Sequence, residues 1–338
     1  MTRIRKSLTD YARPVTITVL IALTIAMPWL VNDYILFLLT LIGTYLVATQ
    51  GLNLLMGFAG QISLGHAGFC AIGAYVTGYA HARAGWPFWI ALALGLGASA
   101  LVGLCLGYLC LEMAGPYLAL TTLAFGIIVQ TIARNWRNMT GGPDGLTPLP
   151  PPIFGPIEVR TRVQFYLMVM VIVWVLTFLM RNIVNSRVGR ALMAVRDDSI
   201  AASGLGVDVV FFRVIAFTVS AVLAALSGVL MGYLSGGIFP DFFDRRLSSV
   251  FIVALMMGGR ATVVGPVIGC LIVVSGFEVL RGFREYQMMV YSLIVILVVI
   301  YMPGGFMQLV GIVQNMIAKI LTARSRRHTP SSLGEGGG

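Results

Sequence analysis

The residue types best suited to covalent chemistry are a serine and a histidine three positions apart in a glycine-rich segment. Ser63 and His66 stand in the sequence Gly-Gln-Ile-Ser-Leu-Gly-His of residues 60–66. A serine hydroxyl beside an imidazole can serve as a nucleophile with its general base. Intramembrane serine proteases place these two side chains on different helices, whereas here both fall on one short segment. We therefore predict that the chain is not an enzyme.

Nucleotide hydrolysis by this chain is disfavoured by its lysines. A phosphate-binding P-loop ends in glycine, lysine and then serine or threonine. The sequence contains only Lys6 and Lys319, and neither follows a glycine. If the protein uses ATP, a separate chain is expected to hydrolyse it.

The four cysteines do not indicate a metal site or a disulfide framework. They lie in or beside apolar runs, without the spacing of metal ligands, at Cys70, Cys105, Cys110 and Cys270. We interpret them as small buried hydrophobic residues. Neither a metal nor a cofactor is expected.

Acidic residues are scarce at membrane depth. Glu112 and Glu278 fall at the ends of apolar runs, and no aspartate or glutamate lies clearly within one. Proton-coupled carriers usually need such a group, whereas sodium coupling can use backbone carbonyls. A self-sufficient secondary transporter is therefore disfavoured, but it stays open as an alternative.

The elements that carry these residues are predicted to be transmembrane helices. Of the 338 residues, 58% are hydrophobic and 11% are charged, and the mean hydropathy is +0.90. A soluble domain carries about 25% charged residues. Because a helix needs about 20 apolar residues to span a bilayer, about ten spans are predicted, in an all-α polytopic bundle. The runs lie at about 15–31, 35–56, 67–82, 88–111, 116–134, 164–182, 211–235, 249–280 (which counts as two) and 288–302.

The stretch 249–280 is too long for a single span. The sequence Gly-Gly-Arg-Ala-Thr-Val-Val-Gly-Pro of residues 258–266 divides it into a short first piece and a full second one. An arginine at the bilayer centre costs about 3 kcal/mol or more. We therefore expect Arg260 to face water at a break, so that the bundle includes one short or broken helix.

A second interruption coincides with the serine and the histidine. Residues 57–69 break an apolar run with several glycines and with Gln61, Ser63 and His66. Unwound backbone at membrane depth is tolerated only where protein buries it or water lines it. The helix ends exposed there suit a carboxylate or an ammonium group. The segment is either part of a translocation path or a kink that serves helix packing.

Basic residues set the predicted orientation. With about ten crossings both termini lie on one side, and this side, which carries the larger share of lysine and arginine, is therefore cytoplasmic. The predicted parts are a cytoplasmic N-tail 1–14, a transmembrane domain 15–304 and a cytoplasmic C-tail 305–338. The net charge of +10 then reflects topology and contact with anionic lipid, not nucleic-acid binding.

The outer segment between two spans, 135–163, is rich in glycine and proline. This composition predicts ordered turns rather than helix. The segment is either a plain connector or a docking surface for a soluble partner.

The inner segment 183–210 is predicted to form two short helices. One side of an amphipathic pattern carries Leu192, Val195 and Ile200. Ser199 is suited to cap the second helix, which would stop at Gly204 or Gly206. A structured loop of this kind binds either a partner or the lipid surface.

Four groups of motifs follow one another along the chain. They are Gly51 to Phe69 with Ile72-Gly73-Ala74-Tyr75, Gly115 to Phe125 with Trp136 to Gly145, Ser186 to Ala191 with Ala201 to Gly206, and Met257-Gly258-Gly259 with Gly265 to Gly269. Together they resemble the branched-chain amino acid ABC transporter permeases, and the M-type subunit more closely than the H-type. The resemblance covers about residues 35–310 without large gaps.

This resemblance implies one transmembrane permease subunit of an ATP-driven importer. Such permeases pair with a second related permease, two ATP-binding-cassette subunits dock below, and a periplasmic binding protein delivers the substrate. The segment 135–163 would face the binding protein, and 183–210 would be the segment that couples to the ATPase. The coupling residues would be Arg187, Gly189, Arg190, Arg196, Ala201, Ala202, Gly204 and Gly206. Where the family frequently has glutamate before the paired alanines, this chain has Ser199 and Ile200.

The resemblance also implies a path shared with the partner permease. Its candidate residues here are Gln61, Ser63, His66, Thr121 and Thr122. The expected substrate is a branched-chain, hydrophobic amino acid, and the expected location is the cell inner membrane. Similar permeases carry urea, amides or other small carboxylates, so these substrates remain alternatives.

Overall fold

The computed structural model describes residues 19–109, 113, 115–154, 157–280, 289, 290, 293, 296, 305 and 306. Within them the chain is a bundle of helices, which confirms the all-α prediction. The helices are α1 Val19–Leu30, α2 Asp33–Leu52, α3 His66–Gly78, α4 Phe88–Leu109, α5 Pro116–Asn135, α6 Arg137–Thr140, α7 Arg162–Asn185, α8 Arg187–Asp197, α9 Ser199–Gly204, α10 Val209–Ser235, α11 Arg245–Gly258 and α12 Gly265–Val279. A small antiparallel hairpin in the outer segment consists of β1 Ile153–Phe154 and β2 Ile157–Glu158.

Five helices in the described residues are long and apolar enough to cross a bilayer. They are α2 with its extension to Phe58, α4, α5, α7 and α10. A π-helical turn prolongs α3 to Arg83. Each of the first seven predicted runs therefore coincides with a helix, and the multi-pass membrane fold is confirmed. The last predicted run, 288–302, lies almost entirely outside the described residues.

The most buried of the five long apolar helices in the described residues is α2, which contacts α7, α10, α11 and α12. Polar contacts tie it to α7 and α10 among these neighbours. Gln50 donates to the Thr177 hydroxyl of α7 at 2.6 Å. Ser227 of α10 donates to the carbonyl of Thr44 at 2.7 Å. Lipid cannot form hydrogen bonds with polar groups in the bilayer core. Such contacts between helices are therefore favoured in the folded bundle, and they fix the mutual register of the helices.

Glycines allow α3 and α10 to pack with their backbones almost in contact. A Cβ atom on Gly73 of α3 would lie 2.6 Å from the Cα atom of Ala225. A Cβ atom on Gly228 of α10 would collide with the carbonyl of Cys70. Small residues at helix interfaces permit this close approach in membranes, and it brings the polar residues of α10 within reach of the start of α3.

The break in the stretch 249–280 lies at residues 259–264, between α11 and α12. These helices have 14 and 15 residues, fewer than the about 20 that cross a bilayer. The second piece begins at Gly265, with a proline in its first turn, where the predicted divider ends. Residues 281–288, which follow it, lie outside the described residues, so a full second span stays a prediction. Arg260 is exposed in the break, as expected for a charge that must reach water.

The outer segment 135–163 consists mainly of ordered turns, as predicted, with the one-turn helix α6 and the hairpin added. It is attached to the connection between α10 and α11. Leu146 and Ile238 exchange backbone hydrogen bonds of 2.9 and 3.0 Å. Arg134, at the end of α5, forms an ion pair with Asp241 of the same connection. The segment 135–163 and the α10–α11 connection therefore meet at one end of the bundle.

The cysteines differ in exposure. Cys70 and Cys270 are buried, whereas Cys105 is exposed on α4, so the prediction that it is buried is wrong. Only 28% of the most apolar stretch of α4 is buried within the chain, which leaves its outer face to lipid. Cys110 lies outside the described residues.

Candidate functional site

The C-terminal end of α2 does not finish as an ordinary α-helix. From Asn53 to Phe58 the chain forms a π-helical turn, after which the Ala59 amide donates to the Leu54 carbonyl at 3.0 Å. Such turns are rare and occur mostly at functional sites. Gly60 then adopts a φ of +72°, which favours glycine. The chain stays non-helical up to α3, so the predicted interruption is confirmed, and residues 59–65 are called the broken segment below.

His66, the first residue of α3, lies between two serine hydroxyls. Its Nδ1 atom is 3.2 Å from Ser63 Oγ, and its Nε2 atom is 2.7 Å from Ser220 Oγ of α10. All three side chains are buried. Because a hydroxyl can donate or accept, either tautomer of the imidazole is satisfied. The adjacent Ala67 amide donates to Ser248 Oγ of α11 at 2.9 Å, so these contacts fix the start of α3 against two helices.

Thr122 joins α5 to the broken segment. The Leu64 amide donates to Thr122 Oγ1 at 2.9 Å, and this hydroxyl in turn donates to the Ala119 carbonyl at 3.0 Å. Thr122 is fully buried, whereas Thr121 is half-buried and donates to the Tyr117 carbonyl of its own helix. Only Thr121 of the two therefore retains an exposed face.

Gln61 has a hydrogen-bond acceptor without a donor. Its backbone amide donates to the Leu55 carbonyl at 3.0 Å. Its side-chain Oε1 atom is buried and has no hydrogen-bond partner in the described part of the chain. Buried polar atoms are normally hydrogen-bonded. This oxygen is therefore suited to accept a hydrogen bond from water or from an ammonium group that enters the site.

Asn53 ties the π-helical turn to the break between α11 and α12. Its Oδ1 atom accepts from the Ala261 amide at 2.9 Å, and its Nδ2 atom donates to the Thr262 carbonyl at 2.8 Å. The side chain is buried. Both interruptions of helical structure therefore lie side by side at the same end of the bundle.

Replacing Asn53 with alanine is expected to lower the stability of the purified protein. The change leaves two backbone groups of the α11–α12 break without partners, at a cost of about 1–3 kcal/mol. The melting temperature in detergent should fall. Asn185→Ala is the control, since this exposed amide bonds only to the Arg181 carbonyl of its own helix, and its melting temperature should not change. Equal melting temperatures for the two variants would contradict the assigned contact.

The inner segment 183–210 folds into two short helices, α8 and α9, as predicted. Ser186 caps α8, and its hydroxyl accepts from the Val188 amide at 3.1 Å. Leu192 and Val195 are buried against the bundle. The segment is therefore attached along α8 rather than hanging free from the membrane helices.

The second helix, α9, differs from the prediction in two ways. Its cap is Asp198, whose carboxylate accepts hydrogen bonds from the backbone amides of Ile200 and Ala201 at 2.9 and 3.0 Å. The prediction that Ser199 is the cap is therefore wrong. Ile200 is 85% exposed and does not share a buried side with the apolar residues of α8. Leu205, just after the end of α9 at Gly204, is equally exposed. The turn at Asp198 rotates α9 so that Ile200 points away from the bundle, whereas Ala202 is buried.

The eight predicted coupling residues divide by exposure. Those exposed in the chain are Arg187, Arg190, Ala201, Gly204 and Gly206, and those buried are Gly189 and Ala202. Arg196 is also exposed as a residue, but it differs from these five because its side chain is only 32% exposed. Its Nη1 atom donates to the Gly57 carbonyl at 2.9 Å. This contact joins the predicted coupling segment to the predicted path.

Sequence analysis did not single out Asn53, Ser220 or Ser248. An asparagine inside an apolar run was a usable signal, since a buried amide needs partners. The two serines gave no such signal, because small hydroxyl residues are common throughout membrane helices. Their role depends on which helices become neighbours.

Comparisons with known proteins agree with this architecture. Residues 34–300 match the family described as branched-chain amino acid transport system / permease component. The high-affinity branched-chain amino acid transport system permease protein LivM of Escherichia coli K12 is 30% identical over 311 residues, which cover 85% of this chain and 73% of that protein. The corresponding LivH protein of Salmonella typhimurium is 26% identical over 286 residues, which cover 79% of this chain and 92% of that protein. No solved structure gives a significant match.

The family match extends over α2 to α12 and so includes the broken segment, the inner helices α8 and α9, and the α11–α12 break. The identity is higher to the M-type relative than to the H-type one, which confirms the resemblance drawn from the motifs. This chain belongs to the family of permease components of branched-chain amino acid transport systems.

Proposed function

We propose that this chain is one transmembrane subunit of an ATP-driven importer that moves branched-chain, hydrophobic amino acids across the cell inner membrane. The observation that carries the proposal is the contact between Arg196 and the Gly57 carbonyl. It connects a surface helix pair to the interruption of a membrane helix. A non-enzymatic permease needs such a connection if two separate ATP-binding-cassette subunits are to drive it.

The docking surface for an ATP-binding-cassette subunit is assigned to α9. Ile200 and Leu205 are each 85% exposed there, next to five charged or small positions of the coupling segment. Apolar side chains surrounded by a polar rim are typical of protein interfaces. Two such subunits, one for each permease, would hydrolyse the ATP.

The translocation path is assigned to the face that this chain shares with a second related permease. Of the five long apolar helices in the described residues, α5 is the least buried, at 17% of its most apolar stretch. It carries Thr121 and lies against the broken segment through Thr122. Gln61 and Thr121 would face the path, while the buried Ser63, His66 and Thr122 hold them in position.

The orientation is assigned from the positive-inside rule. The broken segment, α8, α9 and the α11–α12 break gather at one end, which we place in the cytoplasm. The outer segment 135–163 then faces a periplasmic substrate-binding protein. Both tails, 1–14 and 305–338, would lie in the cytoplasm.

The proposal is tested by purifying the chain from its native membrane in mild detergent and identifying what accompanies it. Two P-loop ATPases and a second permease are expected. The purified complex, in liposomes with ATP inside and the binding protein outside, should then take up labelled leucine. Uptake of urea, an amide or a small carboxylate instead would change the substrate. Uptake by the chain alone would overturn the proposal in favour of a secondary transporter.

A further inference from the structure

Arg196 stands at the last turn of α8, and its side chain, which is 32% exposed, reaches the end of the π-helical turn. Asp197 holds the guanidinium in place, with its carboxylate 2.9 Å from Nε and 2.8 Å from Nη2. The remaining terminal nitrogen, Nη1, donates to the Gly57 carbonyl at 2.9 Å. The planar guanidinium fork therefore links an α8 carboxylate and a π-helix carbonyl at fixed relative positions.

The partner of Arg196 is a helix end rather than an isolated carbonyl. Gly57 lies in the last turn of the π-helical extension of α2. Carbonyl groups at a helix C-terminus carry partial negative charge and lack partners within the helix. A cationic group that donates a hydrogen bond to one of these carbonyls makes a charge-assisted hydrogen bond, which is stronger than a neutral one.

The stem of Arg196 is also packed against the broken segment. A Cβ atom on Gly60 would lie 2.6 Å from Arg196 Cγ, so the arginine occupies the space that any other residue at position 60 would need. Gly60 also has a positive φ of +72°. The contact is therefore made by backbone and side chain together, which leaves little freedom for α8 to move without the broken segment.

The same turn is held on its other side by Asn53, which bonds to the α11–α12 break at residues 261 and 262. The π-helical turn thus lies between two elements, with Arg196 on one side and the break on the other. A displacement of α8 would be passed to the broken segment, and through Asn53 to the break.

We propose that Arg196 is a positioning residue that transmits the movement of the coupling segment to the broken segment, so that ATPase closure changes the inner end of the translocation path. It would act inside the permease rather than as a contact with the ATPase. The inference rests on the proposed function, because it needs an ATPase that moves α8.

The test uses the assembled complex in liposomes and compares the wild type with Arg196→Ala, Arg196→Lys and Arg181→Ala. Arg181 is an exposed arginine near the end of α7 that leads into α8, and it serves as the matched control. We expect Arg196→Ala to keep its ATPase subunits and its ATP hydrolysis, while the amount of substrate imported per ATP falls at least tenfold. Arg196→Lys, which keeps the charge but not the fork, should be intermediate, and Arg181→Ala should match the wild type.

A second measurement reports on the broken segment directly. Ile62 is partly exposed and can be replaced by cysteine and labelled with an environment-sensitive fluorophore, with Cys105 and Cys110 replaced by serine. ATP should shift the emission with Arg196 present and leave it unchanged in Arg196→Ala. The inference would be overturned if Arg196→Ala imported as much substrate per ATP as the wild type, or if ATP shifted its emission as much as it does with Arg196 present. Failure of the wild-type complex to import with ATP would instead count against the proposed function.

Discussion

Replacing Gly228 with alanine is expected to leave almost no folded protein in the membrane. The added Cβ atom would collide with the carbonyl carbon and oxygen of Cys70 and lie 2.6 Å from its Cα atom. These are backbone atoms, which cannot rotate away as a side chain can. Overpacking of a core commonly costs about 1–3 kcal/mol and occasionally more, and a clash between two helix backbones belongs at the upper end or beyond.

The damage would spread because α3 and α10 must separate to admit the methyl group. The hydrogen bond of 2.7 Å between His66 and Ser220 crosses this same interface. Its loss would leave the imidazole Nε2 atom and the Ser220 hydroxyl buried without this partner, at a further cost of about 1–3 kcal/mol. Two penalties of this size approach the whole stability of a typical domain, about 5–15 kcal/mol.

Gly97→Ala is the matched control, because the Cβ atom added there meets no other atom within 4 Å. Gly97 lies on the exposed face of α4, where alanine favours helix by about 0.5–1 kcal/mol over glycine. Fluorescence-detected size-exclusion chromatography should show a normal peak for Gly97→Ala and a strongly reduced one for Gly228→Ala. A normal, equally heat-stable peak for Gly228→Ala would show that the two helices are not packed as described.

The membrane helices were predictable from sequence because the bilayer imposes a simple requirement. Each span needs a long apolar run, and the runs from residue 35 to 235 coincide with helices α2, α3, α4, α5, α7 and α10. The break at residues 259–264 was also predictable, since Arg260 cannot lie at the bilayer centre at acceptable cost.

The position of Ile200 shows why a local pattern failed. Counting at helical spacing from Leu192 and Val195 places it on the buried side only if one helix continues unbroken. Asp198 instead adopts an extended conformation, with φ −155° and ψ 105°, and starts a new helix. Aspartate and serine are both good caps, so the sequence left the start of α9 open by one residue. That residue decides which way Ile200 points.

The contacts that organise the candidate site could not be predicted for a different reason. His66 and Ser220 are separated by 154 positions, and Asn53 and Ala261 by 208. Their pairing depends on the tertiary arrangement of α2, α3, α10 and α11, which no periodicity encodes. The sequence indicated that the segment around Ser63 was unusual, but only the packed helices show that Ser63 and His66 are buried while Gln61 retains an unpaired oxygen.

Introducing a charge on α9 is expected to abolish import by the complex while the permease still folds. Ile200 and Leu205 are each 85% exposed in the chain, so Ile200→Glu and Leu205→Glu disturb little within it. In the proposed complex both side chains enter a groove of the ATPase, where burying an unpaired carboxylate is costly. Loss of an interface residue of this kind costs about 2 kcal/mol or more, so ATPase recovery and uptake should fall at least about thirtyfold.

The sign of the introduced charge separates two roles for this helix. If α9 lay on the lipid surface instead, anionic lipid would disfavour glutamate but accept lysine, so Ile200→Lys would import normally. Docking in an apolar groove predicts that Ile200→Lys fails as badly as Ile200→Glu, and that Ile200→Val retains import.

Replacing Arg190, or adding a methyl group at Gly204 where no atom lies within 4 Å, should likewise uncouple transport without affecting membrane insertion. Arg190 lies on α8 and gives up an exposed 3.4 Å hydrogen bond to the Asn185 carbonyl, so both changes are mild within the permease. Lost import in both would place the fault at the contact with the ATPase, and normal import in both would remove the coupling assignment from α8 and α9.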